Sequence, residues 1–324
     1  MKDVNPGLKL QQPCESSRRL VLLTGGTGGA KLVQGLSLEV EPERLFVVCN
    51  TADDCVVHGL HVSPDLDTVT YTLAGVADTT KGWGVQNDTF AVLEWLGRFG
   101  GETWFQLGDK DLATHITRSR LLREGFSLSQ VTEQICKAFG IRTAVVPMSD
   151  DRVETKIVTP KGVMSFQEYF VRDSWADECA GLSFEGTETS RPAPGVLESI
   201  QGASAVILCP SNPVTSIGPI LAVPGIREAL KKTVAPVTAV SPIIRGRPFS
   251  GPAHKFMACL GMEVSAFGVA QAYQDFLDCI FLGPEDSEFI SQIEDLGIKA
   301  VVTSIRIDSL LEKRQLAREL LTAV

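Results

Sequence analysis

The sequence predicts an α/β fold: a Rossmann-like, doubly wound, mostly parallel sheet with a helical or mixed insertion. Three observations carry this. A short apolar run at residues 20–23 ends in a glycine-rich turn, Thr24-Gly25-Gly26-Thr27-Gly28-Gly29-Ala30-Lys31, and Leu32, Val33, Leu36 and Leu38 follow at helical spacing. A second apolar run at 45–49 ends at Asn50-Thr51-Ala52-Asp53-Asp54, which completes a strand–helix–strand unit long enough for a parallel crossover. Strand-like and helix-like stretches alternate again toward the C-terminus.

The elements follow in order. Residues 90–139 read as mainly helical. Ser127-x-x-Gln130 is a capping box, Val131, Ile135 and Phe139 share one face, and Gly140 ends the helix. Residues 152–170 alternate like strands, as in Thr155-Lys156-Ile157-Val158-Thr159. Residues 175–194 are polar and read as irregular. The apolar run 205–209 reads as a central parallel strand, and another follows at 235–240. Residues 279–282 read as strand, 286–296 as a helix burying Phe289, Ile290, Ile293 and Leu296 before Gly297, and 300–305 as strand again. The last helix opens with Ser309-x-x-Glu312 and presents Leu310, Leu311, Leu316, Leu320 and Leu321 as its apolar face. That face would suit a homodimer interface.

Residues 1–19 read as a disordered tail, and 20–324 as one α/β domain with a helical segment near 90–140 and an insertion near 151–195. The tail has no apolar stretch of a secretory signal, and no run reaches the roughly 18 apolar residues of a membrane span. The net charge of −9 argues against a nucleic-acid partner. The eight cysteines, Cys14, Cys49, Cys55, Cys136, Cys179, Cys209, Cys259 and Cys279, form no CxxC pair. They read as buried free thiols of a cytoplasmic protein.

The glycine cluster lets backbone N–H groups approach an anion at a helix N-terminus. It is neither a GxxxxGK[ST] loop nor a strict GxGxxG, which would need glycine at Lys31. Packing alone is the competing explanation. Asp53, Asp54, Asp65 and Asp67 lie close in sequence beside it, and oxygen ligands at a strand's carboxyl end suit Mg2+. Capping of a turn or helix is the alternative for each. In Lys81-Gly82-Trp83-Gly84-Val85-Gln86-Asn87-Asp88-Thr89 the tryptophan between glycines reads as an aromatic platform for a flat ring or as a turn with a core Trp. Gly108-Asp109-Lys110-Asp111, with Thr114 and His115, opens a helix. His58 and His61 lack further ligands for a metal site. The loops 211–220 and 241–244 follow two more strand ends and point at the same crevice. No GxSxG is present. Phosphoryl or nucleotidyl transfer, which needs positioning and charge neutralisation rather than a protein nucleophile, fits best.

These motifs, with Met148-Ser149-Asp150-Asp151 and Tyr273-Gln274-Asp275-Phe276-Leu277-Asp278, occur in one order. The series closely resembles the 2-phospho-L-lactate transferase (CofD-type) family of coenzyme F-420 biosynthesis from about Leu20 onward. The resemblance implies an acceptor, the deazaflavin Fo, and a donor, a guanosine diphosphate ester of lactate, enolpyruvate or a similar three-carbon acid. The ribityl hydroxyl of Fo would attack the phosphorus nearer the acid, and GMP would leave. By the same resemblance Gly25, Gly26, Thr27, Gly28, Gly29 and Lys31 would hold the diphosphate, and Asn50 belongs with the site. Asp53 and Asp65, with Asp54 or Asp67 as further candidates, would hold Mg2+, and Asp53 or Asp54 would orient or deprotonate the hydroxyl. Lys81, Trp83, Asn87 and Thr89 would position the deazaflavin, with Asp109 and His115 nearby. Ser211, Asn212 and Ser216 would meet guanosine or phosphate. A gluconeogenesis-factor-like family that binds nucleotide sugars as a regulator shares the glycine-rich start. The segments 81–89 and 108–115 favour the transferase.

Overall fold

A computed structural model of the protein describes residues 19–324; residues 1–18 of the expected tail, with Cys14, lie outside the described residues. β1 (Leu20–Thr24) leads into α1 (Thr27–Ser37) and β2 (Leu45–Cys49). A hairpin of β3 (Cys55–Val57) and β4 (Leu60–Val62) precedes α2 (Pro64–Leu73). Three helices, α3 (Ala91–Arg98), α4 (Asp109–Arg123) and α5 (Leu128–Ala138), lead to β5 (Ala144–Pro147). β6 (Glu154–Thr159), β7 (Gly162–Ser165) and β8 (Gly181–Glu185) come next, then α6 (Val196–Gln201) and β9 (Ala205–Leu208). α7 (Ile217–Ala222), α8 (Ile226–Lys232) and β10 (Val237–Val240) follow. A hairpin, β11 (Ile243–Ile244) and β12 (Arg247–Pro248), precedes α9 (Ala253–Cys259) and α10 (Ala266–Tyr273). The chain ends with β13 (Cys279–Leu282), α11 (Ile290–Asp295), β14 (Lys299–Val302) and α12 (Leu310–Ala323).

Seven strands form one parallel sheet in the order β14-β13-β10-β9-β1-β2-β5. Its central strands are buried on both faces, which is why they read as unbroken apolar runs. Val21, Leu23, Val206 and Leu208 point to one face and pack with α6 to α10. Leu20, Leu22, Leu45 and Val47 point to the other and pack with α1, α2 and α12. No described helix is long and apolar enough to cross a membrane.

Several local expectations change. The stretch 175–194 contains β8, which pairs antiparallel with β6 and turns the β6–β7 hairpin into a three-stranded sheet. After Ser165 the strand pattern gives way to one helical turn, Glu168–Arg172. The helix expected at 286–296 is a 3-10 segment, Pro284–Phe289, followed by α11, and β14 stops at Val302. Both capping boxes are present. Yet Phe139 is 39% exposed and sits edge-on against Tyr71, because it is the C-cap of α5 rather than part of its buried face. Leu38, the C-cap of α1, is exposed for the same reason. Leu310 and Leu311 are 52% and 74% exposed. α12 meets α1 at the Gly35–Lys313 backbone contact, one turn further on, so its buried stripe is Lys313, Leu316, Ala317 and Leu320. Cys55, Cys179 and Cys259 are half-buried rather than buried.

Candidate active site

From β1 the chain first builds β2 and β5 on one side, then returns to place β9, β10, β13 and β14 on the other. The reversal falls between β1 and β9, and open α/β sheets bind ligands at that point. The backbone N–H of Gly25 donates to Ser211 Oγ at 3.0 Å and ties the two strand ends together. Gly26 is the N-cap, so Thr27, Gly28 and Gly29 form the first helical turn rather than a loop, with N–H groups that have no intrahelical partner. A Cβ at Gly26 would stand 2.5 Å from Asp65 Oδ1, and one at Gly28 2.5 Å from Pro210 O. Glycine is required here by close approach.

Asp53 follows β2, and Asp65 stands in the first turn of α2 after Pro64. Asn50 joins them: its Nδ2 donates to Asp53 Oδ2 and to Asp65 Oδ2, 3.0 Å each. Asn50 Oδ1 accepts from Ala52 N, which holds the amide in place. Asp53 Oδ1 is buried without a hydrogen-bond partner. Burial, then the Asp65 charge, pushes the Asp53 carboxyl well above its ordinary range. Burial pushes Asp65 up to about 7. This is a concentration of unneutralised carboxylate at the mouth of the sheet.

A cleft of about 520 Å3 opens over these carboxylates. Trp83, Trp104, Phe105, Phe166 and Phe170 contribute rings to its walls. Asp67, Asp111 and His115 line its polar side and belong to one buried cluster. Arg118 Nη1 donates to Asp67 Oδ2 at 3.0 Å, Arg118 Nη2 also reaches Asp67, and His115 Nε2 lies 3.1 Å from Asp111 Oδ1. Tyr71 donates to Asp111 at 2.6 Å. Burial pushes the Tyr71 hydroxyl far up, so it stays a donor.

The expected site residues divide. Gly26, Thr27, Gly28, Asp53, Asp65, Lys81, Trp83, Ser211, Asn212 and Ser216 line one cleft at the switch point, continuous with the aromatic one. Lys81 Nζ lies 5.3 Å from the Trp83 ring centre and 4.7 Å from that of Phe90. Ser211 and Asn212 are engaged internally, since Asn212 Oδ1 accepts from Val214 N at 2.9 Å. Asn87, Thr89 and Asp109 instead build the junction of α3 and α4. Asn87 O accepts from Lys110 Nζ, Thr89 Oγ1 donates to Asp109 Oδ2 at 2.6 Å, and Asp109 accepts from the Ala91 and Val92 amides. Asp54 faces away: Ser63 Oγ donates to it at 2.6 Å, His61 Nε2 stands 3.0 Å off, and Asp54 and His61 line a separate cleft. Lys31 pairs with Asp308 in another cleft across the turn.

Sequence reasoning missed Tyr71, Trp104, Phe105, Phe166, Gln167, Phe170 and Arg118. Gln167 Nε2 donates to Asp53 O at 2.9 Å and so fixes the loop that carries the carboxylate. The spacing of Phe166 and Phe170 was the one available signal, and they stack at 5.3 Å.

The model of the family described as 2-phospho-L-lactate transferase CofD matches residues 20–315. A 2-phospho-L-lactate transferase of Methanosarcina mazei is 42% identical over 301 residues, 93% of this chain and 97% of its own length. A phosphoenolpyruvate transferase of Kitasatospora aureofaciens is 45% identical over 287 residues, 86% of this chain and 89% of its own. A UPF0052 protein of Bacillus halodurans shares the fold, with a TM-score of 0.62 at 16% identity, over 94% of this chain and 99% of that one. The glycine turn, the acid pair and the strand reversal all fall inside the matched span, and the chain belongs to the 2-phospho-L-lactate transferase CofD family.

Proposed function

We propose that the protein transfers a phospho-three-carbon-acid group, phospholactate or phosphoenolpyruvate, from a guanosine diphosphate ester to the terminal ribityl hydroxyl of Fo. One observation carries the reading: a ring-lined cleft of about 520 Å3 has Asp53, Asp65 and the glycine turn in its wall. Flat aromatic walls suit a tricyclic deazaflavin. The turn's N–H groups suit a diphosphate.

The partnerless Asp53 Oδ1 and the Asp65 carboxylate fit a divalent cation. Among the described residues no group of three or more His, Cys, Asp or Glu side chains encloses a metal. Mg2+ would therefore be held by Asp53 and Asp65 and take its remaining ligands from substrate and water. Bound there, it would neutralise charge on the diphosphate. Asn50 keeps the two carboxylates in register. Asp53 orients the hydroxyl and takes its proton. The hydroxyl oxygen forms the new bond to phosphorus as the bond to GMP breaks. Much of the rate comes from holding these atoms in line.

The test is an assay with purified protein, Fo, Mg2+ and each guanosine-linked acid, read by mass spectrometry. The expected result is a mass gain on Fo with release of GMP, which also names the donor. Asp53→Asn should abolish it. Fo binding without transfer would overturn the reaction, and absence of Fo binding would favour a regulatory nucleotide-sugar protein.

A further inference from the structure

Ser63 is the N-cap of α2, yet its side chain caps nothing. An N-cap serine ordinarily accepts a hydrogen bond from the first turn of its helix. Here Ser63 is fully buried, and its Oγ donates instead to Asp54 Oδ2 at 2.6 Å. His61 Nε2 stands 3.0 Å from the same oxygen, and the Asp54 side chain is 11% exposed. The β3–β4 hairpin explains the placement. Cys55 pairs with Val62, Val56 with His61 and Val57 with Leu60. The two-residue turn between the strands, His58-Gly59, has positive φ at both positions, as a tight hairpin requires. One step beyond Cys55 and Val62 the same register sets Asp54 opposite Ser63, so their hydrogen bond closes the open end of the hairpin. Two such short strands hold a register weakly by themselves. His61 N donates to Ser119 Oγ at 2.7 Å and fastens β4 to α4. The Asp54–Ser63 bond fastens the end from which the two carboxylates emerge.

Asp53 stands directly before this closure, and Asp65 follows it after Pro64 alone. Asn50 bridges the two carboxylates directly, and the Asp54–Ser63 bond joins the chain segments that bear them. We infer that Asp54 and Ser63 are positioning residues: their hydrogen bond sets the separation of the Asp53 and Asp65 carboxylates and with it the choice of divalent cation. The inference rests on the reading that these two carboxylates hold the cation. Mg2+ demands ligands at about 2.0–2.1 Å in a near-octahedral array, whereas Ca2+ takes them at about 2.3–2.6 Å in looser geometry. A pair clamped for Mg2+ discriminates against the larger ion, and a pair allowed to drift loses Mg2+ before Ca2+. Asp54 faces a separate cleft, so it acts on the cation through the pair and not by contact.

Mn2+ binding to the full chain, read by electron paramagnetic resonance of the free ion, tests this, with Mg2+ and Ca2+ as competitors and no substrate present. The parent protein should bind Mn2+, lose it in Asp53→Asn and prefer Mg2+ to Ca2+. Ser63→Ala should weaken Mg2+ about tenfold and Ca2+ by less than about threefold, so that the preference narrows. Asp54→Asn keeps an oxygen for Ser63 to donate to. It should lower both affinities alike through the lost charge and retain the parent's preference, whereas Asp54→Leu should narrow it as Ser63→Ala does. Circular dichroism should show the parent fold in Ser63→Ala and Asp54→Asn. An unchanged preference in Ser63→Ala overturns the inference, whether the two affinities stay or fall together. So does a preference lost in Asp54→Asn as fully as in Asp54→Leu, which would make the charge and not the hydrogen bond decisive. If the parent binds no Mn2+, or binds it as well in Asp53→Asn, the cation reading of the pair fails and this inference with it. If Asp53→Asn abolishes binding while Ser63→Ala matches the parent, that reading stands and this inference alone fails.

Discussion

The carboxylate of Asp65 lies against the backbone of Gly26, so close that a Cβ on residue 26 would stand 2.5 Å from Oδ1. The position of the acid therefore depends on the absence of a side chain on the turn. Gly26→Ala should displace Asp65 and lower turnover about a hundredfold, the cost of roughly 1 Å of misplacement. Circular dichroism should remain that of the parent protein. Full activity would show that the Asp65 position does not matter.

Metal and proton compete for the same pair. In the metal-free fold burial pushes the Asp65 carboxyl up to about 7, against 3.8 for a free aspartate. Between those values the folded chain holds a proton that the unfolded chain has lost, so stability falls as pH rises through this window. The raised Asp53 carboxyl acts in the same direction. Melting temperature without metal should be lower at about pH 7.5 than at about pH 5.5, and added Mg2+ should raise it more at the higher pH. Asp65→Asn should flatten both trends. Trends that survive in that variant have another source.

Arg118 is 2% exposed and compensates Asp67. Arg118→Ala leaves a buried carboxylate without its partner and should cost about 3–5 kcal/mol. Urea unfolding measures it. A shift below about 1 kcal/mol would mean that Asp67 takes up a proton or water at little cost.

Asp109 matches a family motif, yet its oxygens are occupied by Thr89 and the first amides of α3. Asp109→Ala should lower the melting temperature and leave Fo affinity as it was. A selective loss of Fo binding at unchanged stability would return Asp109 to the binding surface.

Cys179 Sγ and Cys259 Sγ stand 2.8 Å apart as free thiols. Hydrogen peroxide should oxidise one to a sulfenic acid, which the other attacks, giving a disulfide and water. Peptide mapping under non-reducing conditions should find this pair linked, and Cys259→Ser should remove the link. A peroxide-treated protein with both thiols still free contradicts this.

The sheet could be read because its central strands are apolar on both faces and α5 and α12 open on capping boxes, signals local to a few residues. Asp53 and Asp65 were legible for a similar reason: Asp53 stands in the short loop after β2 and Asp65 in the first turn of α2. The aromatic cleft was not. Trp104 and Phe105 lie between helices, Phe166 precedes a single helical turn and Phe170 lies within it, and these segments converge through tertiary packing that no periodicity encodes. Asn87, Thr89 and Asp109 show the converse, motif residues whose polar atoms cap helices and close a loop. Lys31 follows the turn in sequence, but helical rotation carries it to the other side.

Thr27 Oγ1 donates to Gly82 O at 3.2 Å and joins the loop bearing Trp83 to the first turn of α1. Gly82 and Gly84 both adopt positive φ, and Gly82 N donates to Asp78 O while Gly84 O accepts from Asp78 N, so the ring stands on a closed turn. One such hydrogen bond is worth about 1 kcal/mol, within reach of ordinary thermal fluctuation. The Trp83 loop and the first turn of α1 thus share one tether, and a change at either end is felt at the other through that bond.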